Sequence, residues 1–385
     1  MNAKKRIIIL GSTGSVGRQA LSVVEKYPDC FSVVGLSANS NEALLQKQIE
    51  DFRPKFYHFR DGKQIQVQTS LFDLLDSTES KFMPTLEELA SADCDLLISA
   101  VSGIVGLKPV LCALKKGTSV AIANKEAIVT GGDLMNKICD KTGAKLIPID
   151  SEHSALWQCM WGEDRAKVKR LILTASGGAL RELSKDDIRN ITAKDALNHP
   201  VWKMGKKVTI DSATLFNKGL EVVEASKLFR ISPSDISVVM HPESIIHGLV
   251  EFSDNSIKAS LAAPDMSLPI ELAMFYPNRA ENSVKAIDLM KLGTLNFSKP
   301  DLDRFPCLNI VLEGVKRGNG TMVALSAADE ILVEQFLNEE IGFYDISSRL
   351  EKVLKKFSGL SADNIDEIFD IDGEARQYIL KLGAK

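Results

Sequence analysis

Three stretches of this chain carry side chains that could do chemistry together. The triplet Asp150-Ser151-Glu152 follows an apolar run at 144–149. Read as extended backbone, residues 150 and 152 point to the same side, about 6–7 Å apart. Carboxylates that close repel unless a cation lies between them. An all-oxygen donor set suits Mg2+ or Mn2+ rather than zinc. A solvated acidic turn is an equally weighted reading of the triplet alone. The stretch 209–224 adds a third acid: Asn217 and Glu221 stand four apart on one helical face, with Lys218 beside them. Ser212 sits at the expected start of that helix, where free backbone N–H groups can bind an anion. A phosphate held by Ser212, Asn217 and Lys218, next to a metal held by Glu221, is coherent chemistry. A capped amphipathic surface helix is the plainer reading of the same pattern. Ser176 lies in a glycine turn after a strand, Thr174-Ala175-Ser176-Gly177-Gly178, as in an anion-binding nest.

Three further segments complete the set. Residues 11–17 read Gly-Ser-Thr-Gly-Ser-Val-Gly, between an apolar strand and a helix. Small residues there let the backbone approach a pyrophosphate whose charge the helix N-terminus favours. After the second strand comes Ser37-Ala38-Asn39-Ser40-Asn41, with no acid before Glu42. The acid that usually meets the ribose 2′-hydroxyl of NAD is missing, so NADP is the expected cofactor. Residues 198–205, Asn-His-Pro-Val-Trp-Lys-Met-Gly, place Trp202 and Met204 on a loop. Apolar loop residues of this kind suit a lid that closes over a flat ring and excludes water. The alternative is a Trp packed on its own domain.

The elements that must position these groups follow from the apolar pattern. Strands are expected at 6–10, 31–36, 55–59, 95–100, 119–123 and 144–148, with helices at 16–26, 42–51, 107–116 and 132–141. Such alternation predicts a doubly wound parallel sheet, a Rossmann-like NADP-binding domain over 1–150. Strands at 168–174, 207–210, 236–240, 246–252 and 257–261 and a helix at 212–229 predict a central α+β catalytic domain over 151–276. Asp254-Asn255 reads as its hairpin turn. A proline-rich linker is expected at 277–307 and a helical bundle at 308–385, with helices at 324–337, 346–357 and 364–382. Repeats and low-complexity tracts are absent.

With 385 residues, 45% hydrophobic and 25% charged, the composition excludes a disordered, collagen-like or coiled-coil chain. Lys+Arg 47 against Asp+Glu 51 gives net −4, so no bulk positive field exists to hold nucleic acid or an anionic membrane. The six cysteines form no Cys-x-x-Cys pair, and they read as reduced, mostly core thiols of a cytoplasmic protein. The apolar run after Lys4-Lys5-Arg6 is too short for a signal peptide or a membrane span.

Seven segments in order, GSTGSVG (11–17), ANKEAIV (123–129), PIDSEHSA (148–155), SGG (176–178), NHPVWKMG (198–205), DSATLFNKGLEVVEA (211–225) and HPESIIHG (241–248), resemble the 1-deoxy-D-xylulose 5-phosphate reductoisomerase family. The resemblance implies an NADPH- and divalent-metal-dependent homodimer of non-mevalonate isoprenoid synthesis acting on a sugar phosphate. The skeleton would rearrange by retro-aldol cleavage and re-addition before hydride transfer gives 2-C-methyl-D-erythritol 4-phosphate. It implies that Thr13, Gly14, Ser15 and Val16 hold the pyrophosphate, and that Asn39, Ser40 and Asn41 meet the adenosine ribose and its phosphate. Asn124, Glu126 and Gly205 would flank the cofactor. Asp150, Glu152 and Glu221 would ligate Mg2+ or Mn2+. Lys125 and Ser151 would address the substrate's oxygens, and Ser176, Ser212, Asn217 and Lys218 its phosphate and a hydroxyl. His199 and Trp202 would lie on the flap. His153 and His247 stand in the motifs without an implied role. Many members carry glycine and a basic residue where Asn39 and Ser40 stand here.

Rival readings lack support in the residues. An aspartate-semialdehyde or homoserine dehydrogenase has no use for acids at 150, 152 and 221. No tyrosine has lysine four residues on, which disfavours a short-chain dehydrogenase. A redox-sensing NADP-binding module would need neither metal site nor lid.

Overall fold

The computed structural model describes residues 3–60, 80–198, 201–202, 204–281 and 284–383. They form two compact units. One comprises Met1–Ala127, Asp133–Asp150 and Met266–Val284; the other comprises Ile128–Gly132, Ser151–Asp265 and Lys285–Lys385.

The first unit is built on seven parallel strands: β1 (Lys5–Leu10), β2 (Phe31–Ala38), β3 (Phe56–Phe59), β4 (Lys81–Phe82), β5 (Leu96–Ser99), β6 (Ser119–Ile122) and β7 (Leu146–Pro148), in the order β4-β3-β2-β1-β5-β6-β7. Ile7 to Leu10 and Leu96 to Ile98 have essentially no exposure, as strands covered on both faces require. The order reverses at β1, so its C-terminal end is the switch point where ligands of such sheets bind. The helix Ser267–Phe275 belongs to this unit: Phe275 meets Tyr27 and Phe31 edge-on with centroids 4.9 Å apart, and Lys5 Nζ donates to the Met274 carbonyl at 2.8 Å. The helix expected at 132–141 starts seven residues earlier, at Lys125, because Asn124 caps it and Gly131-Gly132 do not break it.

The second unit carries a four-stranded sheet of β8 (Val168–Ala175), β9 (Ile236–Met240), β10 (Ile246–Phe252) and β11 (Ile257–Leu261), ordered β11-β10-β8-β9. The β10–β11 hairpin turns at Asp254-Asn255 as expected, with Asn255 left-handed. Four helices follow at Cys307–Arg317, Asn319–Leu337, Phe343–Lys356 and Ile365–Gly383, the first unforeseen. They share one core with Phe216 and Leu220, through Val311, Leu325, Ile346 and Ile379. This grouping differs from a separate 308–385 domain and from a boundary at 276.

Three local readings are corrected. Asp150 to Glu152 is not extended: the helix Ser151–Cys159 begins directly after Asp150, with Glu152 in its first turn, where a negative charge is favoured. Residues 207–210 are not a strand but lie in the helix Lys206–Thr214, whose buried Thr209, Ile210 and Ala213 override their β-branched bias. The helix expected at 212–229 is two helices. Leu215, left-handed at φ +61°, separates Lys206–Thr214 from Phe216–Phe229. Ser212 is therefore inside a helix and not at an N-cap.

Candidate active site

In the first unit, the turn 11–17 has the geometry of a phosphate cradle. Gly11 adopts φ +82°, and a Cβ there would fall 2.6 Å from the Ala100 carbonyl oxygen. A Cβ at Gly17 would fall 2.3 Å from the Gly11 oxygen, so both positions exclude side chains. Ser37 fastens the turn, since its carbonyl accepts from the Gly11 and Ser12 N–H groups at 3.1 and 2.8 Å. Ser12 is occupied: its hydroxyl donates to Gln48 Oε1 at 2.7 Å. Gly14 and Ser15 are exposed, and Thr13 and Val16 partly so, at the start of the helix Ser15–Lys26. That helix has neither a side-chain cap nor a first-turn acid to compete with an incoming anion. The cradle thus fits a pyrophosphate.

The remaining residues expected near a nucleotide are pinned to different degrees. Asn39 and Ser40 are exposed at the end of β2. Asn41 caps the next helix, its Oδ1 accepting from the Leu44 N–H at 3.1 Å, which leaves both N–H donors of its Nδ2 for a ligand. Asn124 is held on both sides: Oδ1 accepts from the Ala127 N–H and Nδ2 donates to the Gly103 carbonyl, both at 2.9 Å. That cap starts the helix at Lys125, whose ammonium lies 2.9 Å from Asp150 Oδ2. Glu126 is buried in the same first turn.

In the second unit, Glu152 and Glu221 are joined through Lys218. The Lys218 ammonium donates to Glu152 Oε1 at 2.8 Å and to Glu221 Oε2 at 2.5 Å. Asn217 Nδ2 donates to Glu221 Oε1 at 2.5 Å, and the Ser151 hydroxyl to Glu152 Oε2 at 2.6 Å. Lys218 is buried, which disfavours its charge, but the two carboxylates outweigh burial and hold its pKa above the usual lysine value. Two carboxylates gathered on one buried positive charge form a hard-oxygen donor set that fits Mg2+ or Mn2+. Lys218, expected to be a ligand for phosphate, donates here to both acids, which leaves the third proton of its ammonium for a further acceptor.

Ser176 and Ser212 are brought together. Gly177 and Gly178 are both left-handed, at φ +88° and +67°. A Cβ on Gly178 would lie 2.9 Å from the Ser212 carbonyl oxygen, so the Ser176 turn lies directly on the helix Lys206–Thr214. Trp202 packs on its own unit, its ring 6.0 Å from that of His247. Gly205 is exposed at the start of the helix that follows. His199 lies outside the described residues.

The structure also engages the two motif histidines left without a role. His153 is fully buried, with Nε2 2.9 Å from the Glu221 carbonyl oxygen and Nδ1 3.6 Å from Glu224 Oε2. His247 Nε2 is 3.1 Å from the Ala262 carbonyl oxygen, and burial lowers its pKa. Glu224 escaped the sequence reading. Its signal was the three-residue spacing from Glu221 on one helix face.

A pyrophosphate cradle at a sheet's switch point and a buried carboxylate–lysine cluster define a dinucleotide-linked enzyme with an acid-rich catalytic unit. Models of the 1-deoxy-D-xylulose 5-phosphate reductoisomerase match residues 7–132, and models of its C-terminal domains match 146–229 and 261–378. Proteins of that name from Thermoanaerobacter pseudethanolicus and Chloroherpeton thalassium are 44% and 43% identical; the alignments cover 98% and 97% of this chain and 99% and 97% of theirs. A crystal structure of DOX-P reductoisomerase in complex with NADPH, fosmidomycin and magnesium superposes with TM-score 0.91 at 35% identity, over 99% of this chain and 98% of that one. The Zymomonas mobilis enzyme in complex with NADPH gives 0.89 at 35% identity, over 99% of both chains. The chain belongs to the 1-deoxy-D-xylulose 5-phosphate reductoisomerase family.

Proposed function

We propose that this chain converts 1-deoxy-D-xylulose 5-phosphate to 2-C-methyl-D-erythritol 4-phosphate, using NADPH and Mg2+ or Mn2+. The observation that carries this reading is the pair Glu152 and Glu221 gathered on the buried Lys218 beside Asn217. When bound, the cation supplies a Lewis acid and NADPH supplies hydride. Asp150, Glu152 and Glu221 hold the cation. Thr13, Gly14, Ser15 and Val16 seat the pyrophosphate. Asn39 and Ser40 meet the ribose and its phosphate, with Asn41 adding its Nδ2. Asn124 shapes the cofactor's surroundings through the cap it makes, with Glu126 and Gly205 nearby in the reading.

Lys125 and Ser151 orient the substrate's oxygens, as does Glu152. Ser176, Ser212, Asn217 and Lys218 bind its phosphate and a hydroxyl. On ligand binding, the flap of His199 and Trp202 would close over the reacting pair, Trp202 leaving its contact with His247, and the water it excludes would strengthen the charge interactions beneath. The test is Glu221→Gln. The amide keeps the shape but removes one of the two charges on Lys218. NADPH oxidation should fall by at least about a thousandfold, with NADPH binding retained. Near-wild-type turnover in Glu221→Gln would refute the metal assignment, as would turnover that survives a chelator.

The enzyme works in the cytoplasm as a homodimer in this reading, without nucleic acid. All six cysteines are thiols rather than disulfides, which supports the compartment. No helix among the described residues is long and apolar enough to cross a membrane. The edge strand β11 exposes Ile257 and Leu261, a surface on which a second copy can pair. A single monomeric species in ultracentrifugation at micromolar concentration would refute the dimer.

A further inference from the structure

Lys207, in the helix Lys206–Thr214, joins two buried carboxylates. Its ammonium lies 2.6 Å from Asp211 Oδ2, one turn along the same helix, and 2.8 Å from Asp329 Oδ2 in the helix Asn319–Leu337. Both aspartates have no exposed side-chain surface. Burial, with the neighbouring Asp211, holds the Asp329 carboxyl well above the usual range. Such a cluster is a poor device for stability alone, since apolar residues of the same volume usually serve as well or better. In some proteins buried charges of this kind instead fix one arrangement of the elements they join.

The surroundings show what is fixed. The Thr214 hydroxyl donates to the Asp211 carbonyl at 3.1 Å and accepts from the Phe216 N–H at 3.2 Å, bracketing the left-handed Leu215. Buried Cys307, the first residue of another C-terminal helix, lies near Thr214, Asp211 and Asp329. A third contact comes from the glycine turn, where a Cβ on Gly178 would lie 2.8 Å from Ala213 Cα and 2.9 Å from the Ser212 oxygen. The nine-residue helix is therefore held by the C-terminal helices and by the turn that carries Ser176. Ser212 directly follows Asp211.

We propose that Asp329 is a positioning residue for the substrate's phosphate: through Lys207 and Asp211 it sets the helix that presents Ser212 beside Ser176. The inference rests on the reading of Ser176 and Ser212 as phosphate ligands. It assigns the C-terminal helices a part in substrate recognition.

The test compares steady-state kinetics of Asp329→Ala, Asp329→Asn and Ser212→Ala in the full chain with Mg2+ and NADPH. Asp329→Ala should raise KM for 1-deoxy-D-xylulose 5-phosphate about tenfold, with kcat and the KM for NADPH within about twofold of wild type. Asp329→Asn keeps an oxygen for Lys207 and should restore most of that loss. Should Asp329→Ala not fold, the apolar replacement of the whole cluster, Lys207→Met/Asp211→Leu/Asp329→Leu, carries the same KM expectation. An unchanged substrate KM in these variants overturns the inference, as does an equal fall in kcat and in affinity for both ligands. Ser212→Ala separates the two failures. If it leaves KM unchanged, the phosphate reading falls and the positioning role with it. If it raises KM while Asp329→Ala does not, only the positioning role falls.

Discussion

Gly219 follows Lys218 in the helix Phe216–Phe229, where an alanine would ordinarily be the better helix former by about 1 kcal/mol. Against that gain stands Val311. A Cβ on Gly219 would lie 2.6 Å from Val311 Cβ, 2.9 Å from Cγ2 and 3.0 Å from Cγ1. Carbon atoms prefer about 3.5–4.0 Å, so roughly 1 Å of overlap must be relieved. Val311 is fully buried and β-branched, with one strongly preferred rotamer in a helix, so it cannot swing aside. The helices Phe216–Phe229 and Cys307–Arg317 must separate instead, an overpacking cost of about 1–3 kcal/mol. Gly219→Ala is thus expected to destabilise the protein by about 0–2 kcal/mol net of the propensity gain. Its effect on catalysis should be larger. The same helix presents Asn217, Lys218 and Glu221, and a displacement near 1 Å in a site can cost about a hundredfold in rate. Urea unfolding, with kcat measured at saturating substrate, reads both quantities. Val311→Ala in the same chain removes the two Cγ contacts but not the Cβ one, so it should rescue Gly219→Ala only in part. A Gly219→Ala enzyme more stable than wild type, with unchanged kcat, would refute the reasoning.

Two further outcomes are expected. Burial raises the Cys159 thiol to about 11 and the Cys94 thiol to about 12, while Cys30 is exposed. At pH 8 a disulfide reagent should modify Cys30 at once and leave Cys94 and Cys159 until the protein unfolds; equal rates would contradict their burial. His247 is held below the usual histidine pKa, chiefly by burial, with the nearby Glu152 opposing. The unfolded state therefore binds a proton more readily than the folded one. The stability this residue contributes is present above about pH 6.5 and is lost as pH falls through and below that value. His247→Gln should flatten that part of the stability–pH curve, and an unaltered curve would show that His247 is not its source.

Much of the fold was legible because buried parallel strands announce themselves. Ile7 to Leu10, Leu96 to Ile98 and Val120 to Ile122 are apolar on every residue, since helices cover both faces. The hairpin at Asp254-Asn255 was legible for an equally local reason, a residue that tolerates the left-handed region. Where local preference and packing disagreed, the reading failed. Val208, Thr209 and Ile210 look like a strand, and in a strand Lys207 and Asp211 would stand about 13 Å apart. Once packing makes the segment helical, those two side chains meet at 2.6 Å, so the buried charge cluster could not be seen before the helix was known.

The carboxylates show the same division. Residue type and spacing already pointed to hard-oxygen chemistry around Asp150, Glu152, Asn217 and Glu221, because that depends on which atoms are present within a few residues. The partner of the acids depended on long-range folding: Lys218, withdrawn from water, reaches the partly buried Glu152 from 66 residues away. The cradle at 11–17 was a local pattern, but its tightness came from the Ala100 carbonyl just past the neighbouring strand β5. Asp329, more than a hundred residues from Lys207, had no sequence signal at all. Chain chemistry is set by the order of residues, whereas charge pairing and burial arise only when distant segments share one low-dielectric interior.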